Sequence, residues 1–250
     1  MHPIHTRTHL LTASSIDNHA MLRPSALLDM LQDMATEHAD ILGIGREVIV
    51  GQHGAFWMLV RTTLALSRPI YVDEETVTIK TWHRGAGSGA IVYRDFDIHL
   101  GDNANSPPIG EATMAWVLAD LSTRKLLRPR SIAVLANSPR PEIVKQTISA
   151  KIVCPPDLTE LAQRVVQYSD LDVNGHMNNV RYIDAACDAL RLDEKTGKFV
   201  TGLTINYDKE SFAGDLLRMV GAEKNGTHYL QGVDKDDTSR FTAKITLGEQ

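Results

Sequence analysis

One run constrains the fold of this chain more than any other: RPSALLDMLQDMATEHADILGIG, residues 23–45. Leu27, Leu31, Met34, His38 and Ile41 recur near the 3.6-residue period that puts side chains on one face of an α-helix. Pro24 suits the first turn, where a backbone N–H has no intrahelical partner, and Gly43 suits a C-terminal stop. Strand-like segments follow. In AFWMLVRTTLAL, the residues Phe56, Met58, Val60, Leu64 and Leu66 alternate with others; then come ETVTIKTW, GAIVYRDFDIHL and GEATMAWVLADL. Gly85, Gly87 and Gly89 mark one turn and GDNANSPP another. A long helix followed by an antiparallel meander must bury its apolar stripe against one sheet face, which is the α+β class.

The pattern then restarts. AQRVVQY is strand-like; from Asn178 onward Val180, Ile183, Cys187 and Leu190 share a helical face; TGLTINYDKE, DLLRMVGAEK, THYLQGVDK and RFTAKITL are again short and strand-like. A unit of a helix plus a curved sheet occurs twice, side by side. Between the copies, Pro129, Pro139, Pro141, Pro155 and Pro156 punctuate a weakly periodic connector. The expected division is residues 1–130, a linker at 131–156, and residues 157–250.

Composition removes several function classes. A formal net charge of −5 with no basic run argues against a nucleic-acid surface, although a local cationic patch for an acidic protein partner stays open. Cys154 and Cys187 lack CxxC spacing, so neither a disulfide scaffold nor a zinc site is expected, and a reducing cytoplasm fits. No apolar run reaches the roughly 20 residues of a membrane span, and MHPIHTRTHLLTASSIDNHAM has no signal-peptide core. His2, His5 and His9 fit no metal spacing and read as part of a solvated terminus.

The chemistry concentrates in YSDLDVNGHMNNVRY, residues 168–182, which crowds short polar side chains between a strand and a helix. A capping loop is one reading: Asn178 or Asn179 caps the helix, Gly175 turns left-handed, and the aspartates, Asp170 included, face solvent. The other is a site. Asp172, Asn174 and His176 alternate, so an extended chain would point a carboxylate, an amide and an imidazole the same way. Behind them a helix start offers backbone N–H groups and a positive dipole end, suited to an oxyanion developing on an acyl carbonyl.

YSDLDVNGHMNNVRYID resembles the signature of the acyl-ACP thioesterases, enzymes that release fatty acids from acyl carrier protein (ACP). RPSALLDMLQDMATEHADILGIG resembles that family's first helix, EATMAWVLADLSTRKLLRP its strand and D-x-x-T-R turn, and INYDKES its second catalytic segment. The resemblance implies two tandem hotdog folds and hydrolysis of the thioester between a fatty acyl group and phosphopantetheine, with no cofactor and no metal. It carries the catalytic roles to Asp172, Asn174, His176 and Glu210. Plant-type members hold a Cys directly after that Glu, whereas this chain has Ser211, whose hydroxyl stays protonated without a base. Direct attack by water is therefore expected. Glu210 takes the proton and His176 orients the water or shares the charge, or the two exchange roles. Asn174 holds the water or the carbonyl, Asp172 orients Asn174 and the helix-start amides, and a backbone N–H near Asn178 polarises the carbonyl. Cys187 reads as an inert core thiol.

The resemblance also implies an acyl channel between helix and sheet of the first unit, with Met30, Met34, Phe56, Trp57 and Met58 as candidate walls. The partner is an acyl carrier protein, acidic by family resemblance. Arg124, Lys125, Arg128, Arg130 and Arg181 are candidates to meet it, with a solvated surface as the alternative. A monomer or a homodimer is compatible with two fused units. The alternatives are an acyl-CoA thioesterase on the same fold and a non-catalytic binder of acyl thioesters.

Overall fold

The computed structural model describes residues 3–85, 89–132, 135 and 150–249. Gly87 and most of the expected linker lie outside the described residues. Two compact units divide the chain, but not contiguously. One takes the described residues of Met1–Leu11, Asp29–Thr62 and Glu74–Ile148; the other takes Thr12–Leu28, Thr63–Asp73 and Ser149–Gln250. In class the molecule is α+β: a few helices against antiparallel sheet.

The first unit holds the strands β1 (His5–Leu10), β2 (Ala55–Leu66, its residues from Thr63 onward counted with the second unit), β3 (Thr76–His83), β4 (Ile91–Leu100), β5 (Gly110–Asp120) and the short β6 (Leu126–Leu127). They run in the order β1-β3-β4-β5-β2, with β6 on β5. The expected helix is α1 (Pro24–Ile41). It ends as its sequence requires: Gly43 adopts φ +70°, and the Ile44 N–H reaches back to Ala39 O at 2.9 Å. Leu27, Leu28, Leu31 and Met34 are buried along its stripe, each worth about 1.5–3 kcal/mol relative to exposure. A second helix, α2 (Arg46–His53), was not anticipated. Its Ile49 packs with Leu42, Ile44, Ala55 and Leu118, and Trp57 closes the cluster.

The N-terminal histidines correct one expectation. Segment 5–10 is not a solvated tail but strand β1, paired antiparallel with β3 from His5↔Thr81 to Leu10↔Thr76. His5 stacks on His38 with ring centroids 5.7 Å apart, and its Nε2 lies 3.1 Å from Glu37. Burial holds the His9 imidazole below its ordinary pKa, with Arg7 adding to the effect.

In the second unit β7 (Thr159–Val165), α3 (Asn179–Ala189), β8 (Lys198–Tyr207), β9 (Leu216–Lys224), β10 (Thr227–Val233) and β11 (Ser239–Glu249) follow one another. The strand order is β8-β11-β10-β9-β7. Helix α3 lays Tyr182 on the sheet, its ring 5.2 Å from Phe241 and 6.0 Å from Tyr207. Beneath it Leu203, Ile205, Leu217, Met219, Leu230 and Ile245 are buried. This packing fixes where α3 begins, and the polar loop leads straight into that start.

Candidate active site

The loop is not extended. Asp172 N donates to His176 O at 2.7 Å and Gly175 N to Asp172 O at 3.0 Å, a tight turn that requires the positive φ of Gly175, +77°. The alternation argument therefore fails in its geometry. What gathers the three side chains is the turn, built around the Asp172 carboxylate. Its Oδ1 accepts the N–H groups of Asn174 at 2.8 Å and His176 at 3.1 Å, and its Oδ2 accepts the Asn174 amide Nδ2 at 3.3 Å. Asp172 thus orients Asn174 as expected, but it holds the loop's own amides rather than those of the helix start.

Asn178 is the N-cap of α3, its side chain accepting from Val180 N at 3.1 Å. Its own N–H is given to Asp170 O at 2.8 Å. Of the backbone donors expected near this helix start, the Asn178 N–H is thereby already engaged. Asp170 is a second correction: it is 3% exposed, not solvated. Its carboxylate takes Arg164 on one oxygen and the Gln167 N–H, at 2.8 Å, on the other.

Glu210 arrives from the end of β8 by backbone pairing. Met177 N donates to Ser211 O at 2.8 Å, and His176 and Phe212 form an antiparallel bridge. The result is that His176 Nδ1 lies 3.4 Å from Glu210 Oε1, with the imidazole 27% and the carboxylate 51% exposed. The Phe212 ring meets His176 edge-on at 5.1 Å. Arg240, itself paired with Asp234 at 2.9 Å, donates to Glu210 O and fixes its backbone. Neither Phe212 nor Arg240 carries a signal in the sequence; only the register of β11 brings Arg240 there.

Ser211 is fully buried beside the Tyr182 hydroxyl, whose pKa burial raises. Burial also pushes the Cys187 thiol far up from its ordinary range, which disfavours the thiolate. Of the channel candidates, Met34 is buried and Met30 half-buried on the stripe of α1. Phe56 and Trp57 lie on opposite faces of β2 and cannot line one wall. Phe56 sits under the Arg124 guanidinium at 4.9 Å, and the Trp57 indole donates to Ile44 O at 2.9 Å. Met58 is 37% exposed, not interior. Among the docking candidates, Arg181 spends its charge on Asp184 at 2.6 Å.

Comparison with known proteins identifies the family of the chain. Residues 3–131 match the acyl-ACP thioesterase N-terminal domain and residues 157–246 the C-terminal domain. A chloroplastic dodecanoyl-[acyl-carrier-protein] hydrolase of Cinnamomum camphora is 23% identical over 220 residues, covering 81% of this chain and 55% of that protein. A palmitoyl-acyl carrier protein thioesterase of Gossypium hirsutum is 27% identical over 216 residues, covering 77% and 48%. The chain spans about half the length of the curated relatives it matches. An acyl-ACP thioesterase structure from Bacteroides thetaiotaomicron superposes with TM-score 0.83 at 23% identity, covering 98% of both chains. The 12:0-ACP thioesterase of Umbellularia californica gives 0.85 at 18% identity, covering 100% and 99%. By its two matched domains, this chain belongs to the acyl-ACP thioesterase family.

Proposed function

We propose that the chain hydrolyses the thioester of fatty acyl-ACP, releasing a free fatty acid and holo-ACP, with Asp172, Asn174, His176 and Glu210 as its catalytic group. The observation that carries this is the approach of His176 Nδ1 to Glu210 at 3.4 Å, beside an Asn174 amide held by Asp172. One solvent molecule can touch both the carboxylate and the imidazole. Glu210 removes its proton as the oxygen attacks the thioester carbon, and His176 fixes the attacking water and steadies the charge. The Asn174 amide donates to the carbonyl oxygen as it becomes an oxyanion. Collapse breaks the C–S bond, and the proton held on the Glu210–His176 pair passes to the departing thiolate. No metal or redox group enters this scheme.

Each unit reads as a hotdog fold: α1 laid on β1-β3-β4-β5-β2 within residues 1–130, and α3 laid on β8-β11-β10-β9-β7 within 157–250. The acyl chain lies along the stripe of α1 that holds Met30 and Met34. The carrier protein docks on cations drawn from Arg124, Lys125, Arg128 and Arg130, in the cytoplasm. The test is thiol release from dodecanoyl-ACP and dodecanoyl-CoA by wild type and by Glu210→Ala. Hydrolysis of the ACP form that Glu210→Ala lowers at least about 100-fold supports the reading. Equal rates for both handles point to a CoA enzyme, and no thiol release from either thioester by wild type makes the protein a binder.

A further inference from the structure

The turn that gathers the proposed catalytic side chains occurs twice. Asp17 N donates to Met21 O at 2.8 Å and Ala20 N to Asp17 O at 3.2 Å, as Asp172 N and Gly175 N do in the loop at 168–178. Asp17 Oδ1 accepts the N–H groups of His19 at 2.8 Å and Met21 at 2.9 Å, the part that Asp172 plays for Asn174 and His176. Ile16 bridges Leu22 and Met21 bridges Tyr71, matching the bridges of Leu171 to Met177 and His176 to Phe212. Leu22 N donates to Ile70 O at 2.8 Å, as Met177 N does to Ser211 O. Ala20 takes the left-handed conformation of Gly175, at φ +61°. An alanine there is strained, so the surrounding contacts hold this turn rather than local preference. Both copies fall in the second compact unit, and each leads into a helix, α1 or α3.

The pairing fixes which residues correspond. Met21 stands where His176 stands, His19 where Asn174 stands, and Pro69 where Glu210 stands. This copy lacks the imidazole and the carboxylate that activate water in the proposed hydrolysis. His19 Nε2 instead donates to Leu192 O at 3.2 Å, and Asn18 Nδ2 to Asp193 O at 3.0 Å, tying the turn to the segment after α3. The place beside the turn is nevertheless open. A cavity of about 40 Å³ lies there, walled by Met21, Leu27, Leu66, Phe199 and Leu247, with Lys198 also in its lining. At the roughly 10–15 Å³ that one water-sized group needs, it holds about three such groups. Its walls are mostly apolar, so hydrocarbon suits it better than water. Lys198 reaches solvent and pairs at 2.7 Å with Glu249, whose side chain is 83% exposed. An exposed pair of this kind contributes little, so a ligand oxygen can take over the ammonium group.

We infer that this pocket is a second acyl site, one that binds without hydrolysing: a short acyl group places a tail of about three carbons in the cavity and its carboxylate or thioester carbonyl on Lys198. The inference rests on the loop at 168–178 being the acyl site of the proposed hydrolase, because the identity of the two turns is what assigns the ligand class. Size separates the two sites. A long fatty chain of the kind proposed for the α1 stripe does not fit a cavity of about 40 Å³, whereas the three-carbon tail of a butanoyl group does.

The test uses the full chain, with butanoate, dodecanoate and the butanoyl thioester of N-acetylcysteamine as probes. Each is titrated and followed through the backbone amide resonances; the thioester is added to Glu210→Ala so that it survives the titration. At least one butanoyl probe is expected to shift the resonances of the Asp17–Met21 turn and of Phe199. Lys198→Met should weaken that binding about tenfold or more, the factor supplied by one hydrogen bond to a charged group. Leu66→Trp, which fills the pocket from a half-buried position, should abolish it. If Leu66→Trp does not fold, Lys198→Met decides alone, since its side chain reaches the surface. Shifts from butanoate alone assign the site to the free carboxylate, from the thioester alone to the carried acyl group, and from both to the acyl group in either form. No shift at the turn from either butanoyl probe overturns the inference, as does binding that Lys198→Met leaves unchanged or dodecanoate binding there as tightly. Binding needs no turnover, so the two readings separate. A chain that cleaves dodecanoyl-ACP but shows no shift at the turn keeps the hydrolase and loses the pocket; one that binds a butanoyl probe there and cleaves no acyl-ACP does the reverse.

Discussion

Asp172→Ala tests the site at the residue that builds it. The substitution deletes an acceptor of three hydrogen bonds, at 2.8, 3.1 and 3.3 Å. Asn174 is exposed, so water replaces much of what is lost, and the two short backbone bonds contribute a net of about 1 kcal/mol each. Global stability should fall by about 2 kcal/mol, which for a chain of this size is a Tm drop of about 4–8 °C. The 171–177 bridge and the Asp172 N to His176 O bond at 2.7 Å do not involve the carboxylate, so the turn persists in outline. Catalysis should suffer far more. The Asn174 amide loses its anchor, and losing an aligned oxyanion donor costs roughly 10²–10³ in rate. Because that donor acts in the transition state, kcat and kcat/KM should fall together while KM stays near its wild-type value. Thiol release from acyl-ACP under saturating and limiting substrate, beside a thermal melt, reads both effects. The reasoning is refuted if Asp172→Ala keeps kcat within about threefold of wild type while Asn174→Ala abolishes it.

Three further outcomes follow from named contacts. Asp170→Ala removes the buried acceptor of Arg164, which keeps Asp188 at 3.2 Å, and frees the Gln167 N–H, so it should cost about 2–3 kcal/mol; denaturant unfolding showing less than about 1 kcal/mol would contradict the anchoring role. Ser211→Ala should leave kcat unchanged, since the side chain is buried beside Tyr182; a loss above about tenfold would make Ser211 part of the chemistry. Burial holds both His228 and His9 below the ordinary 6.5, Lys195 and Arg7 adding to it and Glu223, Asp33 and Glu37 opposing it. The unfolded chain therefore takes up these protons first, and stability present above about pH 6.5 should be lost as the pH falls through the folded-state values. Melting curves between about pH 7.5 and 5.5 check the sign, and His228→Gln should flatten the slope.

The sequence showed what local physics determines. The α1 stripe, its glycine stop and the alternating strands all carry short-range signals, and each formed where its pattern lies, except that Ile41 at the end of the stripe is exposed. The Asp172–His176 cluster was visible as composition but misread as geometry: Gly175 makes a turn where alternation suggested an extended chain. Segment 5–10 looked like a polar tail because an edge strand with mostly exposed side chains has no hydrophobic period. The channel list failed on β2 because alternation sends Phe56 and Trp57 to opposite faces, a constraint already implicit in the strand reading. Arg240 and Phe212 had no local signal, since long-range pairing alone puts them beside Glu210.

That long-range pairing also explains why the residue after Glu210 need not be a nucleophile. Met177 N bonds Ser211 O at 2.8 Å and His176 bridges Phe212, so residues 210–212 run beside the loop with strand-like alternation. Glu210 and Phe212 are exposed and touch His176, whereas the intervening Ser211 turns into the core toward Tyr182. A period of two sends neighbours to opposite sides. Any side chain at position 211, thiol or hydroxyl, therefore points away from the solvent side where Glu210 meets His176. Bringing it to a thioester carbonyl would require breaking the backbone pairing that holds Glu210 in place. In the proposed hydrolysis, attack by water on the face that Glu210 and His176 share is the route that leaves this backbone pairing intact.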